Sequence, residues 1–171
     1  MTTREAAAGV GREERFVATA AEMFLSLDGE IRVGGHYVGL VEHDGLAYIS
    51  GQIPRVHDAV AVTGRVGAET SLAEGCRAAR ICTMRALALL RQRPGGLARV
   101  RRVLRMTVYT QSAPDFVRQS EVADAASDLL HAILGDAGVH ARTSVGAFTL
   151  PKNAAVELDL LVAVEPEECP S

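Results

Sequence analysis

Two residues near the carboxyl end of the chain are of the types that bind and process small acids. Arg142 and Glu157 lie on two segments of β-type alternation, joined by a turn that contains residues 150–151 (LP). A guanidinium group grips a carboxylate through two parallel hydrogen bonds, and a neighbouring acid can hold a water molecule or move a proton. If Glu157 only neutralises Arg142, the pair is structural, and the spacing alone does not separate these interpretations. In both cases we expect their charged atoms within about 4 Å of each other.

Two motifs give most of the chain a family resemblance. The first is residues 48–54 (YISGQIP), and the second joins residues 142–143 (RT), 150–151 (LP) and 156–157 (VE). In this order and spacing they resemble the RidA family, also called YjgF or L-PSP, and the chain is similar to its longer, N-terminally extended branch. The resemblance covers residues 35–165. It implies a chorismate-mutase-like fold, a homotrimer, and ligand sites in clefts between subunits.

The resemblance also implies roles for the residues at the matching positions. Arg142 would bind the carboxylate of a 2-keto or 2-imino acid, and Glu157 would hold the water that attacks an imine carbon. We therefore take both as catalytic and expect them in a cleft at a subunit boundary. Tyr37 would close the pocket over the ligand, and Ser50 and Gly51 match the serine and glycine of the first motif.

Two further positions are implied as ligand-binding. Ser144 stands where the family often has cysteine, and its hydroxyl keeps the size while donating a stronger hydrogen bond. The deaminase branch has an asparagine in the second helical region, whereas this chain leaves Ser120 or Asp124 near that position. Asp124 would add a like charge beside an anionic substrate. We therefore expect imine hydrolysis to be weak or absent while carboxylate binding persists.

Composition argues against several other classes of protein. The chain has 171 residues, of which 48% are hydrophobic and 23% charged, as in one soluble domain with its own core. A net charge of -3 and an aromatic content of 4% argue against binding to nucleic acid or anionic membranes. The cysteines lack CxxC spacing and the histidines form no HxxxH or HExxH pattern, so no metal site is predicted. We see no signal peptide or spanning segment, and we expect no cofactor and a cytoplasmic location.

The elements that must position the candidate residues follow from hydrophobic periodicity and turn signals. Ser71 and Glu74 form a capping box at the start of a long helix. In the final strand, Glu157 and Asp159 face away from the apolar side. The predicted elements are helices at residues 13–27, 71–91 and 112–135, and strands at residues 37–42, 46–50, 59–63, 100–110, 143–148 and 155–164.

These elements predict an α+β fold in which two main helices cover one face of a mixed sheet, with an additional N-terminal helix. Residues 1–30 are interpreted as an N-terminal tail and helical extension, and residues 31–171 as the RidA-like domain. The first helix is expected to pack Phe16, Met23 and Phe24 against that domain.

The second face of the sheet has no helix to cover it. Strict alternation would place Arg142, Ser144, Glu157, Leu161 and Ala163 there. This mixture of apolar and charged side chains is typical of an oligomer interface that contains a polar site.

We therefore interpret the chain as a RidA-like protein that binds carboxylate metabolites and hydrolyses 2-imino or enamine acids to 2-keto acids and ammonia. Two alternatives stay open. A trimer of the same fold could bind a metabolite without turnover, which the missing asparagine favours. An RNA-cleaving protein is less favoured, because the net charge is negative and no histidine is clearly placed for proton transfer.

Overall fold

The computed structural model describes residues 11–166, which form three α-helices and seven β-strands. Residues 1–10, which begin the predicted N-terminal tail and helical extension, and residues 167–171 lie outside this range. The helices are α1 (Arg12–Glu22), α2 (Leu72–Arg91) and α3 (Gln119–Leu134). The strands are β1 (Leu40–His43), β2 (Leu46–Gln52), β3 (Arg55–Val56), β4 (Ala59–Val60), β5 (Val100–Gln111), β6 (Ala141–Ala147) and β7 (Val156–Val164).

Five of the strands form one mixed sheet in the order β1-β2-β7-β5-β6. β5 and β6 are parallel, and the other neighbours are antiparallel. β3 and β4 pair only with each other, so the strand predicted at residues 59–63 is a short arm of a small hairpin. α2 and α3 pack against the sheet, and α1 packs against both helices. The predicted mixed sheet with two main helices and an N-terminal helix is confirmed. Within residues 11–166, no helix has the length and apolar content needed to cross a membrane.

The start of α2 follows from its capping box. The Ser71 hydroxyl accepts a hydrogen bond from the Glu74 N–H at 3.2 Å, and the Glu74 carboxylate accepts one from the Ser71 N–H at 3.1 Å. Two of the N–H groups that a helix start leaves unpaired are thereby satisfied. The predicted bounds of this helix are confirmed.

The side of the sheet that faces the helices is an apolar layer. In β7 every second side chain is buried and the others are partly exposed, as its alternation predicts. The alternation of residues 100–110 predicts Leu104, Met106 and Val108 on one face of the strand, which is wrong for Leu104. Leu104 is exposed and Val103 is buried, because a bulge between Val103 and Arg105 shifts the register of β5 against β7.

The other side of the sheet is open in the single chain. Glu157, Asp159 and Leu161 of β7 lie on it and are partly exposed, as predicted for this strand. Tyr48 of β2 pairs with Leu161, and Val145 of β6 lies on the same side two strands from Glu157. Tyr48 and Val145 are exposed apolar side chains. This face, which we call the open face, therefore combines exposed apolar side chains with two carboxyl groups.

Arg142 and Ser144 lie on the side opposite to Glu157, contrary to the sequence prediction. In the parallel ladder Arg142 stands beside Met106, a fully buried residue of the helix-facing layer. Glu157 stands beside Tyr109, three positions further along β5, and so points the other way. Alternation within a strand does not fix which side faces the helices, whereas the pairing of β6 with β5 does.

The N-terminal helix ends earlier than predicted. Met23 closes the helix, Phe24 has a left-handed backbone with φ of 55°, and the Leu25 N–H donates to the Ala20 carbonyl at 2.8 Å. This is a helix-ending arrangement that usually employs glycine at the left-handed position. Phe16 is buried as predicted, whereas Phe24 is 90% exposed, so its predicted packing is wrong.

Polar contacts hold α1 against the rest of the chain. The Arg91 Nε donates to the Glu13 carboxylate at 2.8 Å, and the Arg91 guanidinium lies 5.2 Å from the centre of the Phe16 ring. The Arg12 Nη1 donates to the Val100 carbonyl at 2.7 Å. The helix is thus part of the folded domain on both its apolar and its polar side.

Replacing Phe16 with alanine should lower the free energy of unfolding by about 3–5 kcal/mol, because a large side chain is removed from a closed core. Phe24→Ala is the matched control and should change it by less than about 0.5 kcal/mol, since that side chain is 90% exposed. Urea denaturation followed by circular dichroism measures both. Equal losses in the two variants would show that α1 does not contribute to the core in this way.

Candidate functional site

The residues singled out from the sequence fall into two groups on opposite sides of the sheet. Tyr37, Gly51 and Glu157 line a cavity of about 240 Å³, which we call the Glu157 cleft. The wall of this cleft also includes four basic residues, Arg32, Arg55, Arg85 and Lys152. The second group, which we call the Arg142 cluster, consists of Arg142, Ser144, Ser120, Asp124 and Ser127. A single chain does not bring the predicted site together.

Glu157 enters its cleft because residue 51 is a glycine. A Cβ atom at that position would overlap the Glu157 carboxylate. Burial raises the pKa of Glu157, and the charge of Asp159 raises it further. A carboxyl group with a raised pKa is protonated at higher pH than usual, which suits a group that exchanges protons with a ligand or water.

Asp159 provides a second carboxyl group on the open face. Burial raises its pKa, although hydrogen bonds from Thr107 and Tyr109 and the charge of Arg105 lower it in part. The pKa of Tyr109 is in turn raised by burial and by the Asp159 charge. Glu157 and Asp159 therefore form a pair of partly buried acids whose charges oppose each other.

Ser50 supports the segment that carries Tyr37. Both its N–H and its hydroxyl donate to the Gly39 carbonyl, at 3.0 and 3.2 Å. This ties the chain just before β1 to β2, and Tyr37 then lies half-exposed at the cleft. Ser50 is not among the residues that line the cleft, so its place in the structure is one of support.

The turn with Leu150 and Pro151 is fixed by a buried glutamine. The side-chain Oε1 of Gln111 accepts a hydrogen bond from the Leu150 N–H at 2.8 Å, and its Nε2 donates to the Asn153 Oδ1 at 2.7 Å. The turn brings Pro151 and Lys152 to the wall of the Glu157 cleft. The Leu-Pro motif thus positions one side of the cavity.

Sequence reasoning missed Arg55 and Arg85, the two basic residues deepest in the cleft. Arg85 is 6% exposed and donates to the carbonyls of Arg55 at 3.4 Å and Arg32 at 3.1 Å. In the part of the chain that the structure describes, the Nε atoms of Arg55 and Arg85 are buried without a hydrogen-bond partner. The available signal was helical spacing, since Arg85 lies four residues after Ile81 on the buried stripe of α2.

Arg142 is held by α3. Its Nη1 donates to the Asp124 carboxylate at 2.8 Å and to the Ser127 hydroxyl at 2.9 Å, and its Nη2 lies 3.5 Å from the Ser120 carbonyl. The Ser144 and Ser120 hydroxyls are 3.4 Å apart. Both residues considered for the asparagine position therefore contact the predicted anion-binding group, and Asp124 supplies its counter-charge.

The expected ion pair between Arg142 and Glu157 is therefore wrong within one chain. The carboxylate that pairs with Arg142 is that of Asp124, whose side chain is 58% exposed against 23% for Arg142. Since the two strands present Arg142 and Glu157 on opposite sides, side-chain rotation alone does not bring them together.

His140 adds a polar contact beside the Arg142 cluster. Its Nδ1 donates to the Gly138 carbonyl at 2.6 Å, so its Nε2 accepts from the Ser127 hydroxyl at 3.1 Å. Ser127 is thereby oriented between His140 and Arg142. In the described part of the chain, no group of three or more His, Cys, Asp or Glu side chains is arranged to hold a metal ion.

Comparisons with known proteins agree on one family. The family model described as "YjgF/chorismate_mutase-like, putative endoribonuclease" matches residues 10–164. Protein TCP17 of Trypanosoma cruzi is 36% identical over 149 residues, which are 86% of this chain and 93% of that protein. The crystal structure of protein Atu1372 from Agrobacterium tumefaciens, of unknown function, has a TM-score of 0.79 at 35% identity and covers 91% of this chain and 94% of its own.

A more distant likeness concerns the fold alone. The structure of E. coli TdcF with bound serine has a TM-score of 0.57 at 20% identity, and the match covers 82% of this chain and 96% of that chain.

Replacing Gly51 with alanine should displace the Glu157 carboxylate and bring the pKa of Glu157 down towards its ordinary value, because burial is the main cause of its rise. The displaced atoms are the far end of a flexible side chain, so the free energy of unfolding should fall by less than about 1 kcal/mol. Carboxyl ¹³C NMR titration measures the pKa. The control is Gly34→Ala in the same cleft, where an added Cβ meets nothing within 4 Å. An unchanged Glu157 pKa in Gly51→Ala would disprove the steric link.

Proposed function

Since the chain belongs to the YjgF/chorismate-mutase-like family, we propose that it works as a homotrimer that binds a carboxylate-bearing metabolite between subunits. In this trimer the Glu157 cleft of one subunit faces the Arg142 cluster of the next. The observation that carries the proposal is the position of the two groups on opposite sides of the sheet. A ligand that touches both Arg142 and Glu157 therefore needs two copies of the chain.

The open face supports an assembly of this kind. Val41, Tyr48 and Val145 expose about half of their apolar side chains, at 51%, 49% and 41%. Apolar groups that line one face of a sheet are stabilised when a partner covers them. Contact between two different surfaces of identical chains is heterologous, and it closes into a ring when the rotation fits. The number three follows from the family resemblance.

The reaction that we propose is hydrolysis of a 2-imino acid to a 2-keto acid and ammonia. Water adds to the imine carbon, the carbon–nitrogen bond then breaks, and ammonia leaves as the carbonyl forms. Glu157 holds the water and passes a proton from it to the departing nitrogen, for which its raised pKa is suited. Arg142 anchors the substrate carboxylate. The reaction is a polar addition and elimination, so these side chains carry it without a cofactor.

Binding without turnover is the second candidate, and the ion pair between Arg142 and Asp124 favours it. A ligand carboxylate has to compete with Asp124 for the same guanidinium nitrogen. Asp124 also lacks the amide N–H donors that an asparagine would offer to the ligand. This second candidate predicts that carboxylate binding is retained and that imine hydrolysis is slow or absent. In both cases we propose that the protein acts in the cytoplasm.

Cleavage of RNA is the weakest candidate. The net charge of -3 gives no general attraction to phosphate chains. The two carboxyl groups of the open face would repel a nucleic-acid backbone.

In solution the protein should have about three times the 18.1 kDa mass of the chain. Tyr48→Glu places a charge in the open face and should shift the mass towards that of the single chain. Val117→Glu is the control, since Val117 is 83% exposed and lies before α3, outside the sheet. Light scattering after size exclusion gives the masses. A single-chain mass for the wild type at micromolar concentration would refute the trimer.

Replacing Asp124 with asparagine should raise the affinity for 2-ketobutyrate about tenfold, because one competing charge is worth about 1.4 kcal/mol here. Arg142→Ala should weaken binding by at least the same factor. Asp128→Asn is the control, because Asp128 is on the same helix and lines a cavity of about 320 Å³ together with Arg142, but Arg142 pairs with Asp124. Calorimetry gives the affinities, and ammonia release from freshly generated 2-iminobutyrate gives turnover. Binding that is indifferent to Arg142→Ala would rule out the proposed site.

A further inference from the structure

Among residues 11–166, Arg85 is a buried cation without a carboxylate partner. It belongs to α2, it is 6% exposed, and its Nη1 and Nη2 donate to neutral backbone carbonyls. A guanidinium has five N–H donors, and the Nε–H of Arg85 has no partner in the described part of the chain. Burying an unpaired charge is costly. Burial also lowers the pKa of Arg85, and the neighbouring charge of Arg55 lowers it further.

Arg55 repeats the pattern from the other wall. Its Nε is buried and has no hydrogen-bond partner within the described residues, and its own carbonyl accepts from Arg85. Two guanidinium groups of like charge therefore stand together, and their repulsion adds to the cost of burial. An arrangement of this kind is stabilised when an anion lies between or against the two groups.

The surroundings have the shape and the charge for such an anion. Arg55 and Arg85 form part of the wall of the Glu157 cleft and also of an adjoining cavity of about 280 Å³. Arg32 and Lys152 add positive charge to the Glu157 cleft, and among its described lining residues Glu157 is the one carboxyl group. Arg32 differs from the inner pair, because it is exposed and bonded to Asp58 at 3.3 Å.

We propose that Arg55 and Arg85 form an anion subsite in the Glu157 cleft, so that the ligand carries an oxyanion group, a carboxylate or a phosphate, at this end. The inference deepens the proposed function, on which it rests for the identity of the cleft as the ligand site. Arg142 of a neighbouring subunit binds one carboxylate, and the subsite binds a second negative group. The preferred ligand is therefore a molecule with two anionic groups rather than a simple 2-keto acid.

A purely structural role for Arg85 is the competing explanation. In that case it only links the segments around Arg32 and Arg55 through their carbonyls. A structural arginine does not need free donors, and it does not respond to added anions. The two explanations therefore differ in what phosphate does to the arginine side chains.

The test follows the Nε–H signals of the full chain by ¹⁵N NMR during titration with inorganic phosphate. We expect saturable shifts of the Arg85 and Arg55 signals, with a dissociation constant on the order of 1 mM. Arg55→Gln should weaken phosphate binding at least tenfold. This variant is preferred to Arg85→Met, because Arg85 links two segments through their carbonyls, whereas the Arg55 Nε has no hydrogen-bond partner among residues 11–166. Arg80→Gln removes one charge from the same helix at a different cavity and should leave the affinity unchanged.

A second measurement identifies the ligand class. The wild type should bind 2-ketoglutarate or 3-phosphoglycerate at least tenfold more tightly than 2-ketobutyrate, and Arg55→Gln should abolish that preference. Both ligands carry two anionic groups, and the one that binds more tightly tells whether the second group is a carboxylate or a phosphate. Absence of any phosphate shift up to about 10 mM, an excess over a millimolar dissociation constant, would overturn the subsite. If 2-ketobutyrate still bound in an Arg142-dependent way, the proposed function would stand. If phosphate bound as expected but 2-ketobutyrate binding did not depend on Arg142, the subsite would stand and the proposed function would be refuted.

Discussion

The pairing of β5 with its two neighbours is the constraint on which the rest of the molecule depends. β7 runs antiparallel on one side of it and β6 runs parallel on the other, each in a defined register. Because side chains alternate along a strand, that register turns Arg142 towards α3 and Glu157 towards the open face. The division of the candidate residues between two surfaces follows directly. For the same reason, a ligand that contacts both Arg142 and Glu157 needs a second copy of the chain.

Charges in the chain are matched where they join elements and unmatched where the cleft lies. Arg91 bonds to Glu13 and so holds α1, and Arg99 bonds to Glu42 and so holds β1. The Arg99 contact keeps the pKa of Glu42 below its ordinary value despite the opposing effect of burial. Arg85, by contrast, is buried against neutral carbonyls. Burial of a charge without a counter-charge is unfavourable. The position of Arg85 at the cleft is therefore better explained by ligand binding than by a contribution to stability.

Local chemistry predicted much of the fold, and long-range pairing limited the rest. The capping box at Ser71 gave the start of α2, and alternation gave the buried face of β7, because each depends on neighbouring residues alone. Leu104 was assigned to the wrong side since a bulge leaves no mark in the pattern. Phe24 was misplaced because a helix end with a left-handed residue usually shows glycine. For the site, the family motifs selected residues that do line a cavity, but the side on which Arg142 lies and the presence of Arg85 depend on how distant segments meet.

The contact between Gly51 and the Glu157 carboxylate has a consequence for how this chain can change over generations. The space that any side chain at position 51 would need is already filled by the acid. A larger residue at 51 is tolerated only where position 157 becomes shorter or turns away, so the two sites are expected to covary among descendants of this sequence. A lineage that lost the acid would be released to accept alanine or serine at 51. Once it had done so, a restored acid would have to lie outside the position that Glu157 now holds beside Gly51, and it would lose the burial that raises its pKa.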